Sequence, residues 1–181
     1  MMSSDTGLIH FDDVRVPQTN RVGEEGMGFA YQMMQFQEER LWAAAHAIRS
    51  LLNCIEQTAT YARERQIFGK SVLDHQVCHY KLAELKTEVE ALRGLVYMAT
   101  ENYVAGADVT EWASMAKLKA CRLSRLVPDA CMQYWGGMGY TWDNPVARHF
   151  RDGRLGSIAG GADEVMLGII AKYMHTLPGR R

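Results

Sequence analysis

A marked excess of charge of either sign is missing from this sequence of 181 residues. Its 20 lysine and arginine residues nearly balance its 21 aspartate and glutamate residues, which leaves a formal net charge of −1 at pH 7. We therefore expect neither nucleic acid nor an anionic membrane surface as a partner. An apolar run long enough to span a bilayer is also missing, so we expect no membrane insertion. The first residues, MMSSDTG, are polar and do not resemble a secretory signal.

Patterns that bind a metal or activate a nucleophile are missing as well. His75 and His79 have a spacing that two metal ligands can use, but no matching carboxylate motif occurs on another predicted helix. No GxSxG motif occurs, and Cys78 and His79, as neighbours on a helix, point about 100° apart. We expect no metal site and no nucleophilic catalysis. No CxxC pair occurs, so reduced thiols in or near the core are expected at Cys54, Cys78, Cys121 and Cys131.

Apolar periodicity predicts a chain that is mainly helical. One long helix is predicted from residue 28 to residue 64, and a third is predicted to start at DVTE, with Asp108 as N-cap, and to kink near Pro128. Shorter helices are predicted within 144–152 and within 161–175. Three long helices with short connections predict a helical bundle. The second long helix has apolar residues in steps of three and four: Leu82, Leu85, Val89, Leu92, Val96, Ala99 and Tyr103.

A single strand is predicted near the start of the chain, over GLIHFDDVRVP at residues 7–17, where Pro17 ends the run. One short strand cannot form a sheet. The segment therefore either packs as an extended arm or belongs to a sheet formed by residues outside this chain.

Three motifs allow a functional interpretation beside a purely structural one. GGMG, at 136–139, is either a helix end with a tight turn or a set of backbone N–H groups open to an anion. Residues 63–76 form either a solvated loop or a phosphate-binding segment. FQEERL, at 36–41, is either a solvated charged face or the position of a carboxylate base. In the segment 63–76, the positive charge that a phosphate would need comes from Arg63, Arg65 and Lys70.

The order of several motifs resembles the acyl-CoA dehydrogenases. The motifs are FDDVRVP, ERQIFGK, KLAELK, AKLKA, QYWGGMGY, ARHFRDGRL and GGADEVMLGIIAKYM. Within that family the chain looks most similar to the long-chain and isovaleryl-type branch. The resemblance implies an all-α, up-and-down helical bundle of the family's C-terminal type, preceded by a short β-strand arm left over from a middle β domain. It assigns residues 1–25 to the end of the β domain and a linker, and 26–181 to the bundle.

The resemblance also implies a reaction and its partners. In this family a carboxylate removes the α-proton of an acyl-CoA thioester while the β-hydrogen leaves as a hydride to FAD, which gives a trans-2-enoyl-CoA. Electrons then pass to an electron-transfer flavoprotein, and the subunits form dimers or tetramers. For this chain alone we expect neither activity nor stable FAD binding. The implied location is the mitochondrial matrix in a eukaryote or the cytoplasm in a bacterium.

Four segments are expected at FAD from the resemblance. Residues 65–67 match the segment that reaches the FAD of a neighbouring subunit, and residues 75–76 match the next contact. Residues 133–137 match the stretch along the FAD pyrophosphate and adenosine, and residues 162–164 match a helix start that contacts the flavin. The implied cofactor-binding residues are Arg65, Gln66, Ile67, His75, Gln76, Gln133, Tyr134, Trp135, Gly136, Gly137, Ala162, Asp163 and Glu164.

The catalytic base is expected at an unusual position. Most of the family has a glutamate where this chain has Gly160, which cannot accept a proton. In the long-chain and isovaleryl branch the base lies on an earlier helix, in a Glu-Arg dipeptide that Glu39-Arg40 matches. The resemblance thus implies Glu39 as the base, with Glu38, Arg40, Gly160 and Gly161 at the substrate. The alternative is a non-catalytic helical module that keeps only the family's oligomer interface.

Overall fold

The computed structural model describes residue 5 and residues 7–178, and these residues form an all-α bundle with one small hairpin. The hairpin has two antiparallel strands, in which Gln66 pairs with Ser71 and Ile67 pairs with Lys70. In chain order the elements are α1 (Gly28–Glu64), β1 (Gln66–Ile67), β2 (Lys70–Ser71), α2 (Gln76–Val104), α3 (Thr110–Trp135), α4 (Pro145–Gly153) and α5 (Asp163–Tyr173).

The core lies between the three long helices, as the apolar periodicity predicted. α3 packs against both α1 and α2, and the two short helices α4 and α5 pack against α3. The predicted apolar face of α2 is buried from Leu82 to Ala99, and Tyr103, at its end, is partly buried. From Leu82 to Val96 this face enters the same core as the buried leucines of α1, Leu51 and Leu52. Ala99 and Tyr103 pack in a second, smaller cluster with Leu41. Apolar burial of this kind supplies most of the stability of a helical bundle.

The strand predicted over residues 7–17 is not present. The segment is irregular, and each of its residues is exposed. Asp13 interrupts it with a positive φ of 48°, which extended backbone does not adopt. A β-strand is stable only when a neighbouring strand pairs with its N–H and C=O groups, and no element of the described chain does so. Within the described chain this segment is therefore not a strand. The all-α bundle is confirmed, and a sheet completed by residues outside this chain stays a prediction.

The helix boundaries lie close to the predicted ones, with one change at the start of α3. Asp108 is not the N-cap; the helix begins at Thr110, and the Asp108 carboxylate accepts hydrogen bonds from the Thr110 N–H at 3.0 Å and hydroxyl at 2.6 Å. α3 continues through Pro128, which has no N–H for the carbonyl of Ser124. Gly153 of α4 lies against that carbonyl, where a Cβ would approach to 2.8 Å. The kink near Pro128 stays a prediction.

Three further features considered from the sequence are the state of the cysteines, the grouping of possible metal ligands and the presence of membrane-spanning helices. All four cysteines are buried free thiols, as predicted. Within residues 7–178, no group of histidine, cysteine, aspartate and glutamate side chains lies close enough together to hold a metal ion. None of the described helices combines the length and the apolar character needed to cross a membrane.

Candidate active site

The candidate site is built around the turn that leads into α5. A short 3₁₀ helix (Arg154–Ser157) follows α4, and the chain then passes through Gly160 and Gly161, whose φ angles are +63° and +93°. Ala162 is the N-cap residue, and α5 begins at Asp163. Two consecutive residues with positive φ favour glycine, because a Cβ is strained there. The two glycines therefore turn the chain so that the first N–H groups of α5 are presented at its start.

Glu39 of α1 faces this turn. A Cβ built on Gly160 would lie 3.9 Å from Oε1 of Glu39. The helix that carries Glu39 and the turn that carries Gly160 thus meet at one point, although they are far apart in the sequence. Glu39 is exposed within this chain, so its carboxylate is open to a ligand on that side.

Arg40 lies away from that point, inside the bundle. It is 8% exposed; its guanidinium lies over the Phe36 ring and donates to Oγ of Ser114 on α3 at 3.5 Å. Burial lowers the pKa of Arg40, and the nearby Glu39 carboxylate opposes that shift. Consecutive residues on a helix point about 100° apart, so Glu39 faces the turn while Arg40 points into the bundle. Glu38 is exposed beside them.

A residue that the sequence did not single out holds the turn from the other side. Lys117 of α3 is buried, and its ammonium donates hydrogen bonds to the carbonyls of Gly156 at 2.7 Å, Ala159 at 3.0 Å and Gly161. The sequence contains only a weak signal that Lys117 is buried. Lys117 is the one charged residue in a run of small and apolar residues, ASMAKL, and small neighbours leave room for a long side chain to enter the core.

Asp163, predicted at the flavin, has its side chain turned towards α3. Its carboxylate is 10% exposed and lies 3.3 Å from Nε of Arg122 and 3.9 Å from Nη1 of Arg125. An acidic residue in the first turn of a helix also interacts favourably with the positive end of the helix dipole. Oδ2 of Asp163 is therefore engaged by α3, whereas its Oδ1 is buried and has no partner among the described residues. The side chain of the next residue, Glu164, is exposed.

The segment after α1 forms a tight hairpin rather than the open loop considered from the sequence. Phe68 and Gly69 occupy its two turn positions with φ of +49° and +80°. Phe68 is 94% exposed at the tip. Arg65, at the base of the hairpin, donates from Nη1 to the Tyr61 hydroxyl at 3.2 Å. The basic side chains and Gln66 are exposed on this projection, and Ile67 is partly buried.

At the start of α2 lies a buried ring nitrogen that has no hydrogen-bond partner among the described residues. His75 is the N-cap residue of α2, and its ring meets the Phe68 ring edge-on at 6.4 Å between centroids. Nε2 of His75 is buried and has no hydrogen-bond partner among the described residues. Gln76, next to it, is exposed. A buried ring nitrogen without a partner is a position where a ligand from outside this chain can supply the missing hydrogen bond.

The end of α3 separates into a packed part and an open part. The Trp135 ring stacks on Tyr61 of α1 at 4.1 Å between centroids and donates from Nε1 to Thr58 at 3.0 Å. The Tyr134 hydroxyl donates to the carbonyl of Val77 on α2 at 2.9 Å. Both aromatic side chains thus serve the bundle. The open part consists of Gln133, Gly136 and Gly137, which are exposed.

The implied cofactor residues form two groups at opposite ends of α1. The hairpin, the start of α2 and the end of α3 lie around the C-terminal end of α1, near Tyr61. Glu39 and the turn at Gly160 lie near its N-terminal end. At 1.5 Å per residue, the two positions on α1 are about 30 Å apart. One flavin ring cannot contact both groups of a single chain, which agrees with a hairpin that serves a neighbouring subunit.

A family model described as acyl-CoA dehydrogenase, C-terminal domain, matches residues 26–175. The chain belongs to the acyl-CoA dehydrogenase family. It is 36% identical over 170 residues to the bovine mitochondrial short/branched chain specific acyl-CoA dehydrogenase, covering 94% of this chain and 39% of that protein. It is 38% identical over 174 residues to the rat mitochondrial long-chain specific enzyme, covering 96% and 40%. The chain therefore spans about two fifths of the length of the curated relatives it matches.

A solved structure, PigA with FAD and proline, has the same bundle. Its TM-score with the present chain is 0.87 at 25% identity, and the match covers 92% of this chain and 43% of that one. Long-chain and short/branched-chain enzymes both occur among the relatives. The branch that the sequence resembles is thus represented, but the names of the relatives differ in the acyl chain they describe.

Proposed function

We propose that this chain is the C-terminal domain of an FAD-dependent acyl-CoA dehydrogenase, in which Glu39 removes the α-proton of the acyl-CoA. The observation that carries the proposal is the approach of Glu39 Oε1 to the space beside Gly160. In most of the family a glutamate side chain would start from the position of Gly160. Here that position has no side chain, and a carboxylate from α1 reaches the same space.

Different parts of the chain would remove the proton and stabilise the negative charge of the reacting thioester. A carboxylate oxygen of Glu39 takes the proton from the carbon next to the thioester carbonyl, as a general base does within hydrogen-bond reach of its substrate. The turn at Gly160 leaves room for the thioester, and the N–H groups at the start of α5 favour the negative charge that develops on the carbonyl oxygen. The product is a trans-2-enoyl-CoA.

FAD fits the groups that this chain leaves unsatisfied. The buried Nε2 of His75 lacks a partner among the described residues, and Gly136 has a positive φ with nothing within 4 Å of a Cβ position, so a ligand can approach its backbone closely. The hairpin, residues 75–76 and the exposed residues at the end of α3 would hold the FAD of another subunit. The start of α5 would face the flavin of its own subunit. When bound, FAD supplies the acceptor for the hydride that leaves the β-carbon.

The wider setting follows from the same proposal. The substrate is an acyl-CoA, and the electron acceptor after FAD is an electron-transfer flavoprotein. The eukaryotic relatives are described as mitochondrial. The mitochondrial matrix in a eukaryote, or the cytoplasm in a bacterium, is accordingly the proposed location.

Replacement of Glu39 tests the proposal in the whole protein loaded with FAD. Glu39→Gln keeps the size of the side chain but removes the proton acceptor, so kcat with acyl-CoA substrates should fall by about 10²–10⁴-fold, the usual contribution of a general base. The measurement is turnover with an artificial electron acceptor over a series of acyl-CoA lengths.

Glu38→Gln is the matched comparison, because Glu38 is the neighbouring exposed glutamate on the same helix. If Glu38 only borders the substrate, its replacement should change KM more than kcat. Normal turnover by Glu39→Gln, with full FAD content, would exclude Glu39 as the base. A whole protein that holds no flavin and oxidises no acyl-CoA would favour the non-catalytic oligomerisation module instead.

A further inference from the structure

Lys117 is the charged side chain most completely enclosed in the described structure. It is 2% exposed and lies on α3 between the two buried alanines Ala116 and Ala120. Placing an ammonium group in the core is costly unless its charge and its three N–H donors are matched. Among residues 7–178 it forms no ion pair with a carboxylate. The compensation must therefore come from dipoles.

Three backbone carbonyls provide that compensation. The Lys117 ammonium donates to Gly156, Ala159 and Gly161, so each of its three donors has an acceptor. Hydrogen bonds that involve a charged donor are about twice as strong as neutral ones. One side chain thus ties three points in the six residues from Gly156 to Gly161 to α3.

The positions of these three carbonyls show which part of the chain Lys117 holds in place. Gly156 precedes the turn and packs against Cys121 of α3, where a Cβ would lie 3.1 Å from Sγ. Ala159 and Gly161 are the residues directly before and after Gly160. Cε of Lys117 itself lies 4.0 Å from the Cβ position of Gly160, the same point that Glu39 Oε1 approaches to 3.9 Å.

We propose that Lys117 is a positioning residue of the candidate active site, which holds Gly160 and the start of α5 in register with Glu39. The role in turnover rests on the proposed function. Without the ammonium, the three carbonyls lose their shared donor, and the turn relaxes towards other conformations. A displacement of about 1 Å in an active site can lower the rate by about 10²-fold. The effect should fall on kcat more than on KM, because the groups that bind the rest of the substrate are unchanged.

The test replaces two lysines of the same helix in the FAD-loaded whole protein. Lys117→Met keeps the length of the side chain and removes the charge and the donors. Lys119→Met is the matched control, since Lys119 lies two residues away on a partly exposed face and pairs with Glu88 of α2. Two readouts are compared with the unsubstituted protein: hydrogen exchange of the amides of residues 158–164, and kcat and KM with an acyl-CoA.

For Lys117→Met we expect exchange in residues 158–164 to become faster by about tenfold or more, with exchange in α2 unchanged. We expect kcat to fall by about 10²-fold with KM changed little. For Lys119→Met we expect both readouts to stay within about twofold, as for an exposed ion pair. Unchanged exchange in the turn, or faster exchange with normal kcat, would overturn the positioning role.

A second variant covers the case in which Lys117→Met does not fold. Lys117→Ala leaves a space that a small alkylammonium ion can enter. Recovery of folded protein on refolding with propylammonium, but not with propanol, supports the proposal; equal recovery, or none with either, overturns it. The exchange readout is independent of turnover. If Glu39→Gln keeps normal turnover while Lys117→Met still loosens the turn, the assignment of the base fails and the hold of Lys117 on the turn stands.

Discussion

At the scale of single residues, Gly160 and Gly161 look alike in the sequence but differ in their surroundings. A Cβ on Gly161 would meet Cε of the fully buried Met166 at 2.6 Å, whereas a Cβ on Gly160 would have only ordinary contacts. Both have positive φ. Gly160→Ala should lower the free energy of unfolding by about 1 kcal/mol through backbone strain. Gly161→Ala should lower it by about 2–4 kcal/mol, because crowding in the core adds to the strain.

Thermal and denaturant unfolding of the two variants measures this difference. Gly160→Ala should also reduce kcat, since its methyl group would enter the space that Glu39 faces. Equal losses of stability in the two variants would mean that Met166 moves aside without cost.

At the scale of elements, we expect α4 to carry a pH-dependent part of the stability through His149. Nε2 of His149 is buried and has no partner in the described structure. Burial lowers the pKa of His149; Asp152 opposes that shift, and His46 adds to it. An unfolded histidine has a pKa of about 6.5, so below that pH the unfolded chain binds the proton more readily than the folded one. The stability is therefore present at neutral pH and is lost as the pH falls below about 6.5.

The variant His149→Gln should make the melting temperature of the whole protein depend less on pH between about 7.5 and 5. His79→Gln is the control, because His79 lies on the exposed face of α2. A melting temperature that falls equally steeply with and without His149 would assign the acid sensitivity to other groups.

At the scale of the whole molecule, the two groups of implied FAD contacts predict that copies of the protein associate. They lie about 30 Å apart along α1, so we expect each FAD to take one group from each of two subunits. Light scattering of the FAD-loaded whole protein should therefore give a dimer or a tetramer. The isolated chain should bind no FAD stably, because it lacks more than half of the length of its relatives. A monomer that retains FAD, or an isolated chain that purifies with flavin, would contradict this prediction.

Exposed apolar side chains agree with such association. Phe11, Phe29, Met34 and Trp42 are all more than half exposed along the N-terminal segment and the start of α1. Large apolar side chains that stay exposed are candidates for an interface. We expect these residues to become covered by other parts of the whole protein or by a second subunit, which hydrogen exchange of α1 in the whole protein would measure as protection.

The sequence by itself determined the helices, because their periodicity is local. Apolar residues in steps of three and four on α2 predict a helix and its buried face before any neighbour is known. Gly106, two residues after the end of α2, is a local signal of the same kind, because its φ of +84° favours glycine. The family motifs also belong to the sequence, and from them came Glu39 and the missing glutamate at Gly160.

Only the tertiary structure decided which residues, distant in the sequence, contact each other. Periodicity could not exclude the strand at 7–17, because a strand depends on a partner elsewhere in the chain. Nor could it tell that Asp163 turns to two arginines of α3, or that Lys117 enters the core to bind three carbonyls about 40 residues later. The approach of Glu39 to the space beside Gly160 is of the same kind. It depends on how α1, α3 and the turn before α5 pack, and packing joins residues whose distance in sequence carries no local signal.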